Sequence, residues 1–274
     1  MSISVVFVVY NQHSVAKVAI DNILQNSSKD TEIVVLDNGS GVPFSYEHSQ
    51  VRVVRNESNC GVYPSIWWAL HESLGDIVCI FHSDLIVVEK RWDTRVKRAF
   101  ENKNLGLLGF IGSNEIDSSG GRGFGTTSNF QGNEYYESIS RQSWKATGAE
   151  KHGKKSSEYS RSATIDGCAM IFRRKVLQSI PFRNDFPIHH FYDKLLSCEV
   201  MEKGYEVGVL GIACDHLGGQ TANKEEGYHT IAKEWCEKHG IVALVENYDL
   251  CLYLEAEKQW KEEYIKKGFI PYKV

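Results

Sequence analysis

The stretch Ile3-Ser4-Val5-Val6-Phe7-Val8-Val9-Tyr10 is apolar almost throughout, rich in β-branched residues, and stops at Asn11. A run of that length and type predicts a central parallel strand buried on both faces. The period then changes. Val15, Val18, Ile20, Ile23 and Leu24 recur at roughly helical spacing, with Ser14 placed to cap the helix. Residues 32–36 predict a second strand, closed by the turn formers Asp37-Asn38-Gly39-Ser40-Gly41. A third strand is expected over 51–55, a helix over 65–74, and a fourth strand over 76–81 that runs into His82-Ser83-Asp84. Strands separated by helices imply right-handed βαβ units and a parallel sheet, hence an α/β fold. Ligands of such sheets bind beyond the carboxyl ends of the strands. That rule singles out Asn11, Asp37, Asn38, residues 56–61 and the His82 to Asp84 segment.

Over 114–163 the alternation is lost. Ser118-Ser119-Gly120-Gly121-Arg122-Gly123-Phe124-Gly125 opens a stretch of Gly, Ser, Asn and Tyr, and 152–162 is polar and basic. A structureless linker of about 50 residues inside a compact chain runs against loop-length statistics, so loops walling a cleft are the expectation. Residues 164–173 are apolar again, 191–203 look helical and 206–213 strand-like, followed by Cys214-Asp215-His216-Leu217-Gly218-Gly219. Two amphipathic helices are expected over 225–240 and 253–267. No repeat or low-complexity tract is visible.

Composition narrows the class. The 274 residues are 42% hydrophobic and 24% charged, with 23 Gly and 5 Pro, enough apolar content for a sizeable core and no collagen-like or disordered bias. Lys plus Arg number 31 against 35 Asp plus Glu, a formal charge of -4, with no basic run of the kind nucleic-acid binding requires. Seven Cys without CxxC pairs favour neither a disulfide framework nor a structural zinc site. The N-terminal apolar run is too short to span a bilayer and lacks the flanks of a signal peptide. A cytoplasmic protein without a transmembrane segment is therefore expected, with peripheral membrane contact left open.

Some chemistry is excluded by absence. The turn after the first strand, Tyr10-Asn11-Gln12-His13-Ser14, has none of the glycines of a dinucleotide fingerprint, and no GxxxxGK[ST] loop occurs. Holding a diphosphate then calls for a divalent cation on carboxylates. Asp84, at the carboxyl end of the fourth strand, stands where such a ligand belongs.

The order of motifs resembles that of the family 2-like inverting glycosyltransferases of the GT-A fold. The matching elements are Val9-Tyr10-Asn11, Val34-Val35-Leu36-Asp37-Asn38-Gly39-Ser40, Asn59-Cys60-Gly61, His82-Ser83-Asp84, Asp166-Gly167-Cys168 with the apolar run to Arg174, Phe191-Tyr192-Asp193, Lys203-Gly204-Tyr205, His216-Leu217-Gly218-Gly219 and Trp235-Cys236-Glu237-Lys238-His239-Gly240. Each is weak alone, and their order makes the combination specific. The resemblance implies a GT-A domain over 1–240, with a mostly parallel twisted sheet flanked by helices. Its nucleotide-sugar half would span 1–112 and its acceptor half 113–221, with a helical extension over 222–274.

It also implies roles. Val9, Tyr10, Asn11, Asp37, Asn59, Gly61, His82 and Ser83 would hold the nucleotide sugar, by family frequency a UDP-sugar. The family's DxD triplet is here His82-Ser83-Asp84, so Asp84 would bind Mn²⁺ or Mg²⁺, and His216 would join it. His82 supplies no negative charge where the family has Asp. The family's Glu-Asp pair is here Tyr192-Asp193. Asp193 would be the base that deprotonates an acceptor hydroxyl, its competing role a helix cap. Asp166, Gly167 and Tyr192 would face the acceptor, a glycan or glycoconjugate. His189 and His190 read as packed or solvated, Trp67 and Trp68 as core, and Tyr135, Tyr136, Trp144 and Tyr159 as candidates for sugar stacking. Two rivals remain: a nucleotidyltransferase, disfavoured by the glycine-free first turn, and a degenerate GT-A domain that binds sugar nucleotides or glycans without turnover.

Overall fold

The computed structural model describes residues 1–114, 156–184 and 192–217, together with the backbone of three short strands between them. In chain order the elements begin with β1 (Ile3–Val9), α1 (His13–Asn26), β2 (Glu32–Asn38), β3 (Val51–Asn56), α2 (Val62–Glu72), β4 (Ile77–His82), β5 (Leu85–Val87), α3 (Trp92–Ala99) and β6 (Leu105–Gly109). There follow β7 (Gly112–Ser113), β8 (Thr126–Thr127), β9 (Gln131–Tyr135), β10 (Ala149–His152), β11 (Ser160–Arg161) and β12 (Thr164–Ile165). The described part closes with β13 (Ala169–Arg173), α4 (Arg174–Ser179), α5 (Tyr192–Glu202), β14 (Glu206–Val209) and β15 (Ala213–Leu217).

An eight-stranded sheet in the order β11-β14-β6-β13-β4-β1-β2-β3 forms the centre. β1 pairs in parallel with both β2 and β4, and β2 with β3. β13 runs antiparallel between β4 and β6, and β14 is parallel to β6. The fold is thus α/β with a mostly parallel sheet flanked by helices, as the alternation of periods predicts. β1 shows why its residues are apolar on both sides. Val5, Phe7 and Val9 pack with Ile20 and Trp92 on one face, while Val6 joins Tyr63, Ile66 and Leu196 on the other. Burying each such side chain contributes roughly 1.5–3 kcal/mol relative to exposure.

The strand order fixes the position of the site. From β1 the chain steps outward to β2 and β3, then returns to place β4 on the other side of β1. The crevice opened by that reversal lies at the carboxyl ends of β1 and β4, where Asn11 and His82 stand. Because β13 is antiparallel to β4, its amino-terminal lead-in, Asp166 to Cys168, arrives at the same end, and the His82 N–H donates to the Cys168 carbonyl at 3.0 Å. β5 and β15 belong to a second sheet, β10-β9-β15-β5, in which His216 pairs with Leu85.

Local expectations needed adjustment. Gln12, not Ser14, occupies the N-cap of α1, and its side chain makes no capping bond. It points instead to Ser83. The helix expected from residue 65 starts at Val62, with Pro64 inside its first turn, where backbone N–H groups have no intrahelical acceptor to lose. The strand expected over 206–213 is two strands of different sheets, β14 and β15, because Leu210-Gly211-Ile212 carry the chain from one sheet to the other. Tyr159 packs over Gly208 and donates to Glu206 at 2.6 Å at the sheet edge. Residues 222–274, the Trp235 to Gly240 element, and the side chains of Tyr135, Tyr136, Trp144, His189 and His190 lie outside the described residues. Among the described residues no helix is long and apolar enough to cross a membrane.

Candidate functional site

Three ligand-capable side chains converge at the end of β4. His82 closes the strand, Asp84 sits two residues on in the turn to β5, and His216 comes from β15 across the β5 ladder. One ligand atom from each lies within 4.8 Å of the others. Asp84 and His216 are buried, at 7% and 5% exposure, and His82 is half-buried. The Asp84 Oδ1 lies 3.6 Å from His216 Nε2 and 3.9 Å from His82 Nδ1, and the two imidazole centroids are 5.8 Å apart. Two imidazoles and a carboxylate at these separations fit a divalent transition ion, and imidazole suits Mg²⁺ poorly because Mg²⁺ prefers oxygen. His82 and Asp84 are near neighbours in sequence, and the second sheet brings to them His216, which the resemblance assigns to the metal.

His82 is held on its other side as well. Its Nε2 lies 3.0 Å from the Tyr192 hydroxyl. Burial pushes its pKa below the usual histidine value, with the carboxylates of Asp84 and Asp193 acting against that and His216 reinforcing it. The Tyr192 phenol is pushed well up, first by burial and then by Asp193, Cys168 and Asp84. Tyr192 lies against Gly167: a Cβ there would meet its hydroxyl at 2.4 Å and its ring Cζ at 2.9 Å. Gly167 is therefore explained by the room it leaves for Tyr192. Asp166 accepts the Cys168 N–H at 2.9 Å, shaping the turn that precedes β13. Asp193 occupies the first turn of α5, 9% exposed, its Oδ1 3.6 Å from the Lys194 ammonium and accepting the Lys194 N–H at 2.9 Å. Asp193 follows Tyr192, whose hydroxyl meets His82, so the start of α5 lies beside the end of β4.

The opposite wall is built by the loops after β1, β2 and β3. Asp37 is fully buried, and both its oxygens are occupied. Oδ1 accepts the Ser40 N–H at 3.0 Å, Oδ2 accepts the Phe44 N–H at 2.9 Å, and Arg55 donates to Oδ2 as well. Burial raises the Asp37 pKa, but the bonds from Ser40, Phe44 and Arg55 outweigh it and hold the carboxyl below its ordinary value. The Ser40 hydroxyl accepts the Asn11 N–H at 3.0 Å, and Asn11 Oδ1 accepts the Gly41 N–H at 2.8 Å. Asn11 itself holds a left-handed backbone, φ 58°, which Asn tolerates better than most residues. Asn38 ties this turn to the next loop by donating to Asn59 Oδ1 at 2.9 Å and accepting the Cys60 N–H at 3.0 Å. Gly39 permits the approach: a Cβ would stand 2.4 Å from the Ser58 carbonyl carbon.

Of the residues expected on the donor, Val9 has its side chain wholly in the core, Asp37 spends both oxygens on the loop framework, and Asn59 accepts from Asn38 and the Gly61 N–H through Oδ1. Asn11 and half-buried Tyr10 remain at the end of β1, Gly61 caps α2, and Ser83 bonds Gln12 at 2.8 Å across the reversal point. Gln12, Ser40 and Arg55 were not singled out by sequence. Their positions directly after β1, after β2 and at the end of β3 were the available signal.

Comparison with known proteins bears on the family and the fold. The profile of a family described as glycosyltransferase-like matches residues 41–253. No curated protein matches the chain in sequence. Among solved structures, the mannosyltransferase PcManGT from Pyrobaculum calidifontis, determined in complex with GDP-Man and Mn²⁺, is 14% identical with a TM-score of 0.51, over 97% of this chain and 73% of that one. S. aureus TarS, residues 1–349, is 14% identical with a TM-score of 0.50, over 98% of this chain and 74% of that one. At such identity the likeness is one of fold.

Proposed function

Because the chain belongs to the glycosyltransferase-like family and is a glycosyltransferase of GT-A architecture, we propose that it transfers a sugar, with inversion and with Mn²⁺ bound, from a nucleoside diphosphate sugar to a hydroxyl of a glycan or glycoconjugate. The observation that carries the metal dependence is the convergence of His82, Asp84 and His216 at the strand-order reversal. These three residues would hold the ion, and the ion, when bound, offsets charge developing on the departing diphosphate. The pair of imidazoles favours Mn²⁺ over Mg²⁺. The neighbour from Pyrobaculum calidifontis, seen with GDP-Man and Mn²⁺, supports a nucleotide-sugar donor of this kind. The default donor is a UDP-sugar.

Asp193 is the proposed base. Its carboxylate accepts the proton of the acceptor hydroxyl as that oxygen bonds to the anomeric carbon, while the bond from that carbon to the diphosphate oxygen breaks on the opposite face. Asp166 and Gly167 lie at the neighbouring β13 lead-in, where the acceptor would enter. The loop wall organised by Asp37, Asn38 and Asn59 shapes the nucleotide side, with Tyr10 and Asn11 at its rim.

A panel of UDP- and GDP-sugars, assayed with Mn²⁺ for transfer and hydrolysis, tests the reading. The anomeric configuration of the product, read by NMR, tests inversion. Asp193→Asn should bind Mn²⁺ and the nucleotide as the unmodified protein does and lose turnover. Normal transfer by that variant refutes the base assignment, and failure of every nucleotide to bind refutes the donor class.

A further inference from the structure

The two positions at which this chain departs from the acidic pattern it resembles, His82 and Tyr192, are bonded to each other. They lie far apart in sequence, at the end of β4 and the start of α5, and meet at 3.0 Å between Nε2 and the hydroxyl. The imidazole is thereby held by a hydrogen bond at one nitrogen and leaves the other toward Asp84. Nε2 faces Tyr192 and Nδ1 faces Asp84 Oδ1 at 3.9 Å, so the ring's two nitrogens have different partners by construction. A third segment completes the arrangement, because Gly167 leaves the space that the Tyr192 hydroxyl and ring edge fill, and a methyl group there would stand 2.4 Å from that hydroxyl. Tyr192 is 6% exposed. With its hydroxyl turned to His82, it is poorly disposed to contact an acceptor.

We propose that Tyr192 is a positioning residue for the metal site: its hydroxyl holds the ring orientation of His82 and can accept the Nε2 proton, so that Nδ1 presents its lone pair toward Asp84 and His216. The inference rests on the reading of those three residues as metal ligands. The chemistry follows from the imidazole itself. A neutral ring carries one proton, and a nitrogen that ligates a cation cannot hold it, so Nδ1 is available only while Nε2–H is the donor. The Tyr192 oxygen is the acceptor for that proton, the role that carboxylates and carbonyls play behind many metal-bound histidines. A neutral His at this position gives up the charge of an aspartate. A ring held in the ligating orientation recovers part of the lost affinity, because little orientational freedom remains to be lost when the ion binds.

Mn²⁺ affinity, measured by the electron paramagnetic resonance signal of free Mn²⁺, tests this without reference to turnover. Tyr192→Phe keeps the ring against Gly167 and removes only the hydroxyl, and its fold is checked by circular dichroism and thermal melting. Loss of such an outer partner typically weakens metal binding about 10–100-fold, and the lower end is expected here because the partner is a neutral hydroxyl. In a His82→Ala background the same substitution should have no further effect, since the group it orients is gone. The Asp84→Ala variant serves as the reference for the site. If Asp84→Ala loses Mn²⁺ while Tyr192→Phe binds it as tightly as the unmodified protein, the positioning role is overturned and the metal site stands. Equal losses from Tyr192→Phe with and without His82 would also overturn it, since the effect would not pass through the imidazole. If Mn²⁺ binding is absent, or indifferent to Asp84, the metal site and the inference fall together.

Discussion

Replacing Asp37 by Asn separates a residue that builds the site from one that touches the donor. The carboxylate is fully buried and accepts the Ser40 and Phe44 N–H groups on different oxygens, with Arg55 donating to the second. A carboxamide has one oxygen and one NH₂. Whichever way it turns, one of those donors faces another donor in a place that water does not reach. An unsatisfied buried N–H costs about 1–3 kcal/mol. The lost attraction to Arg55, whose side chain is 37% exposed, adds no more than about 1 kcal/mol. Asp37→Asn should therefore destabilise the fold by about 1–4 kcal/mol, read as a lower urea midpoint at unchanged slope. At roughly 2–4 °C per kcal/mol for a large domain, the melting temperature should fall by about 2–16 °C. The pH dependence gives a second reading. A carboxyl held below its ordinary value of 3.8 contributes stability that is fully present above that value and is lost as pH falls through the lower, folded one. The unmodified protein should show that acid loss and the Asn variant should lack its Asp37 component. Unfolding within about 0.5 kcal/mol of the unmodified protein, the usual range for a surface change, together with lost nucleotide binding would refute this reasoning and make Asp37 a direct ligand.

Three further outcomes are expected. Gly167→Ala forces a methyl group onto the Tyr192 hydroxyl, so it should cost about 1–3 kcal/mol in denaturant unfolding, as overpacking does; an unchanged midpoint would show that Tyr192 moves aside freely. Arg174 donates to the Leu70 carbonyl at 2.9 Å and to Ser73 Oγ at 2.8 Å, closing the C-terminal end of α2. Arg174→Met strips those acceptors of a partner and should lower stability by about 1–3 kcal/mol, with thermal melting as the check. Mn²⁺ at about 100 times its dissociation constant should stabilise the unmodified protein by about 2.7 kcal/mol, and equal Mg²⁺ by less. Asp84→Ala should abolish the Mn²⁺ effect, and persistence of that shift in the variant would place the ion elsewhere.

The first half of the fold was legible because each element there carries its own period. β1 reads as buried on both faces, α1 as a stripe, and the turn formers after β2 mark the strand's end, so parallel βαβ units and the importance of Asn11, Asp37 and His82 follow from local pattern and from the rule on strand ends. The chain also spells out Asp84 beside His82. What local pattern could not show is partnership across segments. The break between β14 and β15 is invisible in an apolar run, since Val207 to Ile212 looks continuous whether it stays in one sheet or passes to another. Asp37, Asn38 and Asn59 read as ligands from their positions at strand ends, yet the polar atoms of Asp37 and Asn38 and the Oδ1 of Asn59 close loops. Which groups satisfy a buried carboxylate depends on what packs over it, and that is decided by Phe44 and Arg55. The sequence by itself determined an α/β chain with carboxylate and imidazole at the end of the fourth strand, because strand and helix periods and strand-end turns are local properties. The resemblance assigns His216 to the metal beside Asp84, and the tertiary structure supplied the geometry of that meeting; it alone decided that Tyr192 meets His82 over Gly167, because that contact depends on strand order, on the antiparallel insertion of β13 and on a few ångströms of packing that no spacing along the chain encodes.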